Sequence, residues 1–171
     1  GGDVTDDGLV TVGGDLSVTA DVDDAIINMG DLAVTGSISL ATQGGVTAHA
    51  TVVNTSAIDF GTTSTTGQIN ATARGAITQS GVIDSAGQAT ITAQNVAGNT
   101  DYDVTLENTS NNFGGNLKVT GANVNIKDTG TTSISRSTVS GNYALTTTGG
   151  VTDNGVIDIE GTTTISSPGS N

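Results

Sequence analysis

The chain predicts an all-β fold, a right-handed parallel β-helix (β-solenoid) of about eight coils of roughly 20 residues, running as a single segment over residues 1–171. Three observations carry this. Of the 171 residues, 100 are Gly, Thr, Asn, Asp or Ser, while the large apolar residues are dominated by 17 Val and 13 Ile, the branched types that suit a pleated surface. A short glycine-led unit recurs about every 20 residues. A longer box recurs near residues 2, 75 and 149.

The short unit reads Gly14-Asp-Leu-Ser-Val-Thr, Gly30-Asp-Leu-Ala-Val-Thr, Gly67-Gln-Ile-Asn-Ala-Thr, Gly87-Gln-Ala-Thr-Ile-Thr, Gly115-Asn-Leu-Lys-Val-Thr, Gly141-Asn-Tyr-Ala-Leu-Thr and Gly161-Thr-Thr-Thr-Ile-Ser, with a weaker copy at Gly44. Alternation with period two places Leu16 and Val18, or Leu117 and Val119, on one face of a strand, with Asp15, Ser17, Asn116 and Lys118 on the other. The glycine serves a turn that needs either positive φ or close backbone approach. Thr and Ser are expected to fill outward positions. A coil of this length cannot bury its own apolar face, but stacked coils share one core and satisfy each other's backbone groups. Parallel crossovers are overwhelmingly right-handed, which sets the expected hand. Eight coils at about 4.8 Å each make a rod on the order of 40 Å long.

The longer box is Gly2-Asp3-Val4-Thr5-Asp6-Asp7-Gly8-Leu9-Val10, matched by Gly75-Ala76-Ile77-Thr78-Gln79-Ser80-Gly81-Val82-Ile83 and by Gly149-Gly150-Val151-Thr152-Asp153-Asn154-Gly155-Val156-Ile157. A β-sandwich would show hairpin signals every 8–12 residues and buried aromatic anchors. A mucin-like stalk would be rich in proline, and Pro168 is the only one here.

The boxes Gly75-Ala76-Ile77-Thr78-Gln79-Ser80-Gly81 and Gly115-Asn116-Leu117-Lys118-Val119-Thr120-Gly121, with Asn111-Asn112-Phe113-Gly114 before the second, resemble the repeats of filamentous-haemagglutinin-like bacterial exoproteins. The resemblance covers essentially the whole chain. It implies a structural or adhesive shaft segment of a secreted protein at the bacterial cell surface, outside the cell and without catalysis. The Asn-Pro-Asn-Gly type motif of that group's secretion domain has no match here. The second reading is an extracellular filament or sheath subunit whose uncapped ends stack, so that its partners are copies of itself or flanking repeats. Cell-surface glycans or a host surface are the other expected partners. Gly1 rather than Met opens the sequence, as expected of a mature form or an excerpt.

Charge narrows the functions further. Seventeen carboxylates face four Lys and Arg, a net charge of −13, which excludes nucleic-acid binding as an expectation because phosphate neutralisation supplies that affinity. No apolar run approaches the roughly 20 residues of a membrane-spanning helix, so membrane insertion is not expected either. With no cysteine and a single histidine, His49, nucleophile-and-base chemistry lacks parts, and His49 reads as a solvent-facing strand residue. A polysaccharide-acting β-helix enzyme is the third reading, with Asp21, Asp23 and Asp24, or Asp101 and Asp103, as its carboxylates. The same Asp21, Asp23 and Asp24 are the candidate ligands for a calcium ion (Ca2+), whose oxygen preference neighbouring coils could complete. The acidic clusters equally serve as a solvated face. No EF-hand loop or calcium-binding nonapeptide is present. Tyr102 and Tyr143 are candidates for stacking on a carbohydrate.

Overall fold

The computed structural model of the chain describes residues 2–168, and among them there are strands, turns and bends but no helix. Alternating side chains and glycine corners produce eight coils. Coil 1 holds Val4–Thr5 (β1), Val10–Val12 (β2) and Leu16–Asp23 (β3); coil 2 holds Ile27–Val34 (β4) and Ser37–Gln43 (β5). Coil 3 holds Ala50–Asn54 (β6), Ile58–Phe60 (β7) and Thr63–Thr65 (β8); coil 4 holds Ile69–Ala73 (β9), Ile77–Gln79 (β10) and Ile83–Ser85 (β11). Coil 5 holds Ala89–Ala93 (β12), Val104–Leu106 (β13) and Asn112–Phe113 (β14); coil 6 holds Asn116–Gly121 (β15) and Val124–Asp128 (β16). Coil 7 holds Thr132–Ile134 (β17), Ser137–Val139 (β18) and Tyr143–Thr147 (β19); coil 8 holds Val151–Asp153 (β20), Ile157–Ile159 (β21) and Thr163–Ser166 (β22). The chain is a β-solenoid.

Every coil contributes to two parallel sheets. The first contains β1, β2, β4, β6, β9, β12, β15, β17, β18, β20 and β21, and the second contains the rest. The register runs in unbroken columns, such as Val4, Ile27, Ala50, Ile69, Ala89 and Leu117 in the first sheet. In coils 1, 7 and 8 a corner splits the first sheet's side into two short strands; in coils 3, 4 and 5 the split lies in the second sheet. The long sequence box is this split side. Its copies lie in the first sheet at β1 and β2, the second at β10 and β11, and the first again at β20 and β21. The long period is therefore three and a half coils, and each step turns the box half a revolution about the axis.

The short unit marks the unsplit strands, so it does not map one copy to one coil as its spacing suggests. Gly30 lies within a strand of the first sheet and Gly67, Gly87 and Gly115 precede strands of that sheet, whereas Gly14, Gly141 and Gly161 precede strands of the second. What these glycines provide is close approach. A Cβ on Gly87 would lie 2.6 Å from the backbone of Gly67, and one on Gly115 would lie 2.4 Å from that of Gly87. Both are distances that van der Waals repulsion forbids.

The core is the narrow space between the two sheets, filled by Ile27, Leu32, Ile38, Leu40, Ile58, Ile69, Ile91 and their equivalents. Each such side chain stabilises the stack by about 1.5–3 kcal/mol on burial. Thr and Ser are not confined to outward positions: Thr63, Thr65, Ser85, Thr132, Ser137 and Thr147 are buried inward. Their hydroxyls find partners within the adjoining turn or on the next coil, as when Ser137 Oγ donates to the Ser135 carbonyl at 3.0 Å and Thr65 Oγ1 donates to Ser85 Oγ at 3.1 Å. Hydrogen bonding removes most of the penalty for burying them.

Candidate functional site

The polar residue just before a strand proves to be a connector between coils. Asp3 Oδ1 accepts the Ile26 N–H at 3.0 Å, Asp15 Oδ1 the Ser37 N–H at 2.8 Å, and Asp103 Oδ1 the Asn123 N–H at 3.0 Å. Asn123 Oδ1 in turn accepts from Asn142 at 3.1 Å and Asn142 Oδ1 from Thr162 at 2.8 Å, so one edge of the rod carries a continuous Asx ladder. Each link satisfies a corner N–H that the strand ladder leaves over. His49 belongs to the same class. It lies at the corner before β6 rather than within a strand, half-buried, with Nδ1 accepting the Gln68 N–H at 2.9 Å.

Several acidic residues of the N-terminal region therefore have structural partners. Asp6 accepts from Gly30 N–H at 2.9 Å and Asp31 N–H at 2.8 Å, and the Gly30 bond is the main cause that holds its carboxyl below the ordinary aspartate value. The Ser37 N–H does the same for Asp15.

Asp21, Asp23 and Asp24 do not converge. Ala20 pairs with Thr42 and Asp23 with Gln43, so Asp21 and Val22 form a bulge on the exposed end of β3. Asp23 and Asp24 lie instead over the Gly44-Gly45 turn of coil 2, where a Cβ on Gly44 would fall 1.9 Å from Asp23 Oδ1 and one on Gly45 1.7 Å from Asp24 Oδ1. Asp24, itself at φ 62°, accepts from Thr47 Oγ1 at 2.5 Å. Among the described residues no three His, Asp or Glu side chains are grouped to hold a metal ion. Asp101 and Asp103 are likewise engaged separately, Asp101 with Gln94 Nε2 at 2.8 Å and Asp103 with Asn123. Tyr143, a candidate sugar platform, is 1% exposed in the core. Burial pushes its hydroxyl up to about 12, and that hydroxyl has no hydrogen-bond partner among the described residues.

Three buried polar nodes escaped the sequence reading. Asn54 bridges coils 2 and 3. Asn111 joins three coils: its Oδ1 accepts from Gln79 Nε2 and the Ile83 N–H at 2.9 and 3.0 Å, while its Nδ2 donates to Leu106 and Lys127 carbonyls at 3.2 Å. Asp128 accepts from Thr132 Oγ1 at 2.6 Å and the Phe113 N–H at 2.9 Å, yet desolvation dominates and raises its carboxyl above the ordinary range. Strand parity was the available signal, because Val124, Ile126 and Asp128 alternate inward.

The outer side of the first sheet is an extended polar surface. Thr51, Asn70, Thr90 and Lys118 form one register row, and Val53, Thr72, Thr92, Thr120 and Thr138 form the next. These rows display hydroxyls and amides at the strand spacing, about 4.8 Å, suited to hydrogen bonding along a repetitive polar partner.

A family model described as repeats of unknown function (DUF5649) matches residues 47–120 and again 121–171. No curated protein and no solved structure matches the chain. The first match begins in the turn before β6 and the second at the end of β15.

Proposed function

We propose, from the premise that this chain belongs to the DUF5649 family of repeats, that it is a structural and adhesive shaft segment of a bacterial extracellular surface protein, of the filamentous-haemagglutinin-like kind. The observation that carries the reading is the continuity of the stack. Backbone ladders, the glycine contacts and the Asx ladder all connect one coil to the next along a single axis. Solenoid stability of this kind is a sum of nearest-neighbour contacts, so length can be added without altering the unit. The Thr and Asn rows of the first sheet are the surface through which glycans would be gripped.

Surface labelling tests the location. An antibody against the Thr72, Thr92 and Thr120 face should stain intact cells that express the parent protein; staining that requires permeabilisation would remove the reading. A calcium role for Asp21, Asp23 and Asp24 rests on ligand chemistry alone. Melting with calcium and with chelator tests it, a rise of several degrees supporting the ion and coincident curves removing it.

A further inference from the structure

The fold engages two of the four Lys and Arg side chains and leaves the other two on one face. Arg74 Nη1 donates to the Gln94 and Asn95 carbonyls at 3.2 and 3.4 Å, tying the loop of coil 5 to coil 4. Lys127 pairs with Glu107 at 3.6 Å, the one ion pair among the described residues. The side chains of Lys118 and Arg136 have no hydrogen bond or ion pair to any described residue, although 17 carboxylates belong to the same chain.

Sequence places these two a coil apart, and stacking brings them together. Leu117 on β15 pairs with Ile134 at the end of β17, and Thr120 pairs with Thr138 in β18. Between those pairs coil 7 has one residue more than coil 6, so Ser135, Arg136 and Ser137 turn a corner against Lys118 and Val119, one strand spacing of about 4.8 Å along the axis. Ser137 is buried and its Oγ accepts the Val119 N–H at 3.0 Å, which fixes the register; Arg136 is exposed and Lys118 half-buried on the outer side. Coil 5 lies on one side of the pair and coil 8 on the other. The surroundings are hydroxyls and amides. β6, β9, β12 and β15 contain no Asp or Glu, and Thr90 adjoins Lys118 in its row as Thr92 and Thr138 adjoin Thr120. The opposite outer face carries Asp59 on β7 and Asp84 on β11. Beyond Arg136, Asp153 and Asp158 of coil 8 stand beside Ile134 and Thr138 without pairing with either cation.

We propose that Lys118 and Arg136 bind a carboxylate of a sparsely charged acidic polysaccharide, one that alternates uronate with neutral sugars, laid along the Thr and Asn rows of the first sheet. On the shaft reading above, on which this assignment rests, those rows already face glycans. The guanidinium fork takes a carboxylate through two parallel hydrogen bonds, and the ammonium beside it adds a point charge. The hydroxyls and amide of Thr72, Thr90, Thr120 and Asn70 both donate and accept, as sugar hydroxyls require. Charge complementarity also sets an upper limit. Two cations on a chain of net charge −13 attract a carboxylate at close range, whereas a polymer charged at every sugar would bring further anions against Asp153, Asp158 and the acidic remainder of the rod. Contacts this exposed are screened by salt, so binding weakens as ionic strength rises.

Affinity electrophoresis of the whole 171-residue chain tests this with three probes: hyaluronan, in which uronate alternates with a neutral sugar, neutral dextran, and polygalacturonate, charged at every sugar. Hyaluronan should retard the chain more than either other probe, and the retardation should shrink with added salt. Lys118→Gln/Arg136→Gln should raise the hyaluronan concentration for half-retardation about ten-fold, the size expected of a lost charge-assisted pair. Its melting temperature should stay unchanged, because neither side chain bonds anything within the chain. Arg136→Lys keeps the charge but loses the fork, and should fall between the double variant and the wild type. Lys127→Gln removes a charge from the opposite face and should leave retardation in place. No retardation by hyaluronan, an equal loss in Lys127→Gln, or tighter binding of polygalacturonate overturns the proposal. So does a wild-type dimer in sedimentation that the double variant abolishes, which would make a second copy the occupant. Equal retardation by dextran would overturn it while leaving the rows as a sugar-binding face, and staining of intact cells would keep the shaft reading through any of these results.

Discussion

Asn54 holds both backbone groups of Val34, its Oδ1 accepting the Val34 N–H at 2.9 Å and its Nδ2 donating to the Val34 carbonyl at 3.0 Å. The same Nδ2 also donates to the Ala57 carbonyl at 2.6 Å, and the side chain is fully buried. Asn54 therefore acts as one extra peptide unit in the first sheet, at the point where the register to Leu32 shifts.

Replacing it should be expensive. Asn54→Leu leaves the Val34 N–H buried without its partner and the Val34 C=O with only the Ser56 hydroxyl at 3.4 Å, at about 1–3 kcal/mol for each group weakened in this way. The expected outcome is a urea midpoint lowered by the equivalent of about 3 kcal/mol with little change in m-value. Asn54→Asp should be no milder at neutral pH, since a carboxylate cannot donate to the two carbonyls.

The glycine contacts predict a sharp contrast. Gly87→Ala forces a Cβ to 2.6 Å from the Gly67 backbone and should destabilise by about 1–3 kcal/mol, with no flexible side chain available to give way. Gly150→Ala meets nothing within 4 Å and should change stability by less than about 0.5 kcal/mol. Thermal melts of the two variants check both figures.

Acid should act oppositely on the two parts of the rod. Asp6 and Asp15 are depressed when folded, by the Gly30 and Ser37 N–H groups foremost, so their contribution is present above the unfolded aspartate value and lost as pH falls through their lower folded values. Asp128 is raised, chiefly by desolvation; its contribution is complete below the unfolded value and is lost as pH rises through its higher folded value. Hydrogen exchange, corrected for intrinsic rates, should show the Gly30, Asp31 and Ser37 amides losing protection first on acidification. Asp128→Asn should stabilise at neutral pH and lose that advantage in acid, as followed by urea midpoints across the range.

Tyr143→Phe removes a buried hydroxyl that bonds nothing among the described residues. Because an unsatisfied buried polar group costs about 1–3 kcal/mol, the variant should be more stable by roughly 1 kcal/mol, seen as a higher urea midpoint.

Alternation made much of this architecture legible in the sequence. Leu117 and Val119 read as inward, and they are; the glycine spacing gave the right number of coils. Two things resisted. Asn54, Asp128, Thr63 and Thr147 occupy inward positions by parity, but their polarity suggested the outside, and only the turn carbonyls, hydroxyls and N–H groups around them explain why they are accommodated. Asp21, Asp23 and Asp24 read as a ligand set because they are neighbours in sequence, while a bulge and the Gly44-Gly45 turn send their side chains to different surroundings. Adjacency along a strand is a poor guide to convergence when a corner follows immediately.

The half-revolution of the long box has a consequence for how such rods can vary. Inserting one long period, a box with the three and a half coils it heads, would extend the rod and also rotate everything beyond it to the opposite side. Inserting two restores the original heading. A lineage that gains or loses boxes singly would thus invert whatever its distal part presents, and one that changes them in pairs would alter reach alone.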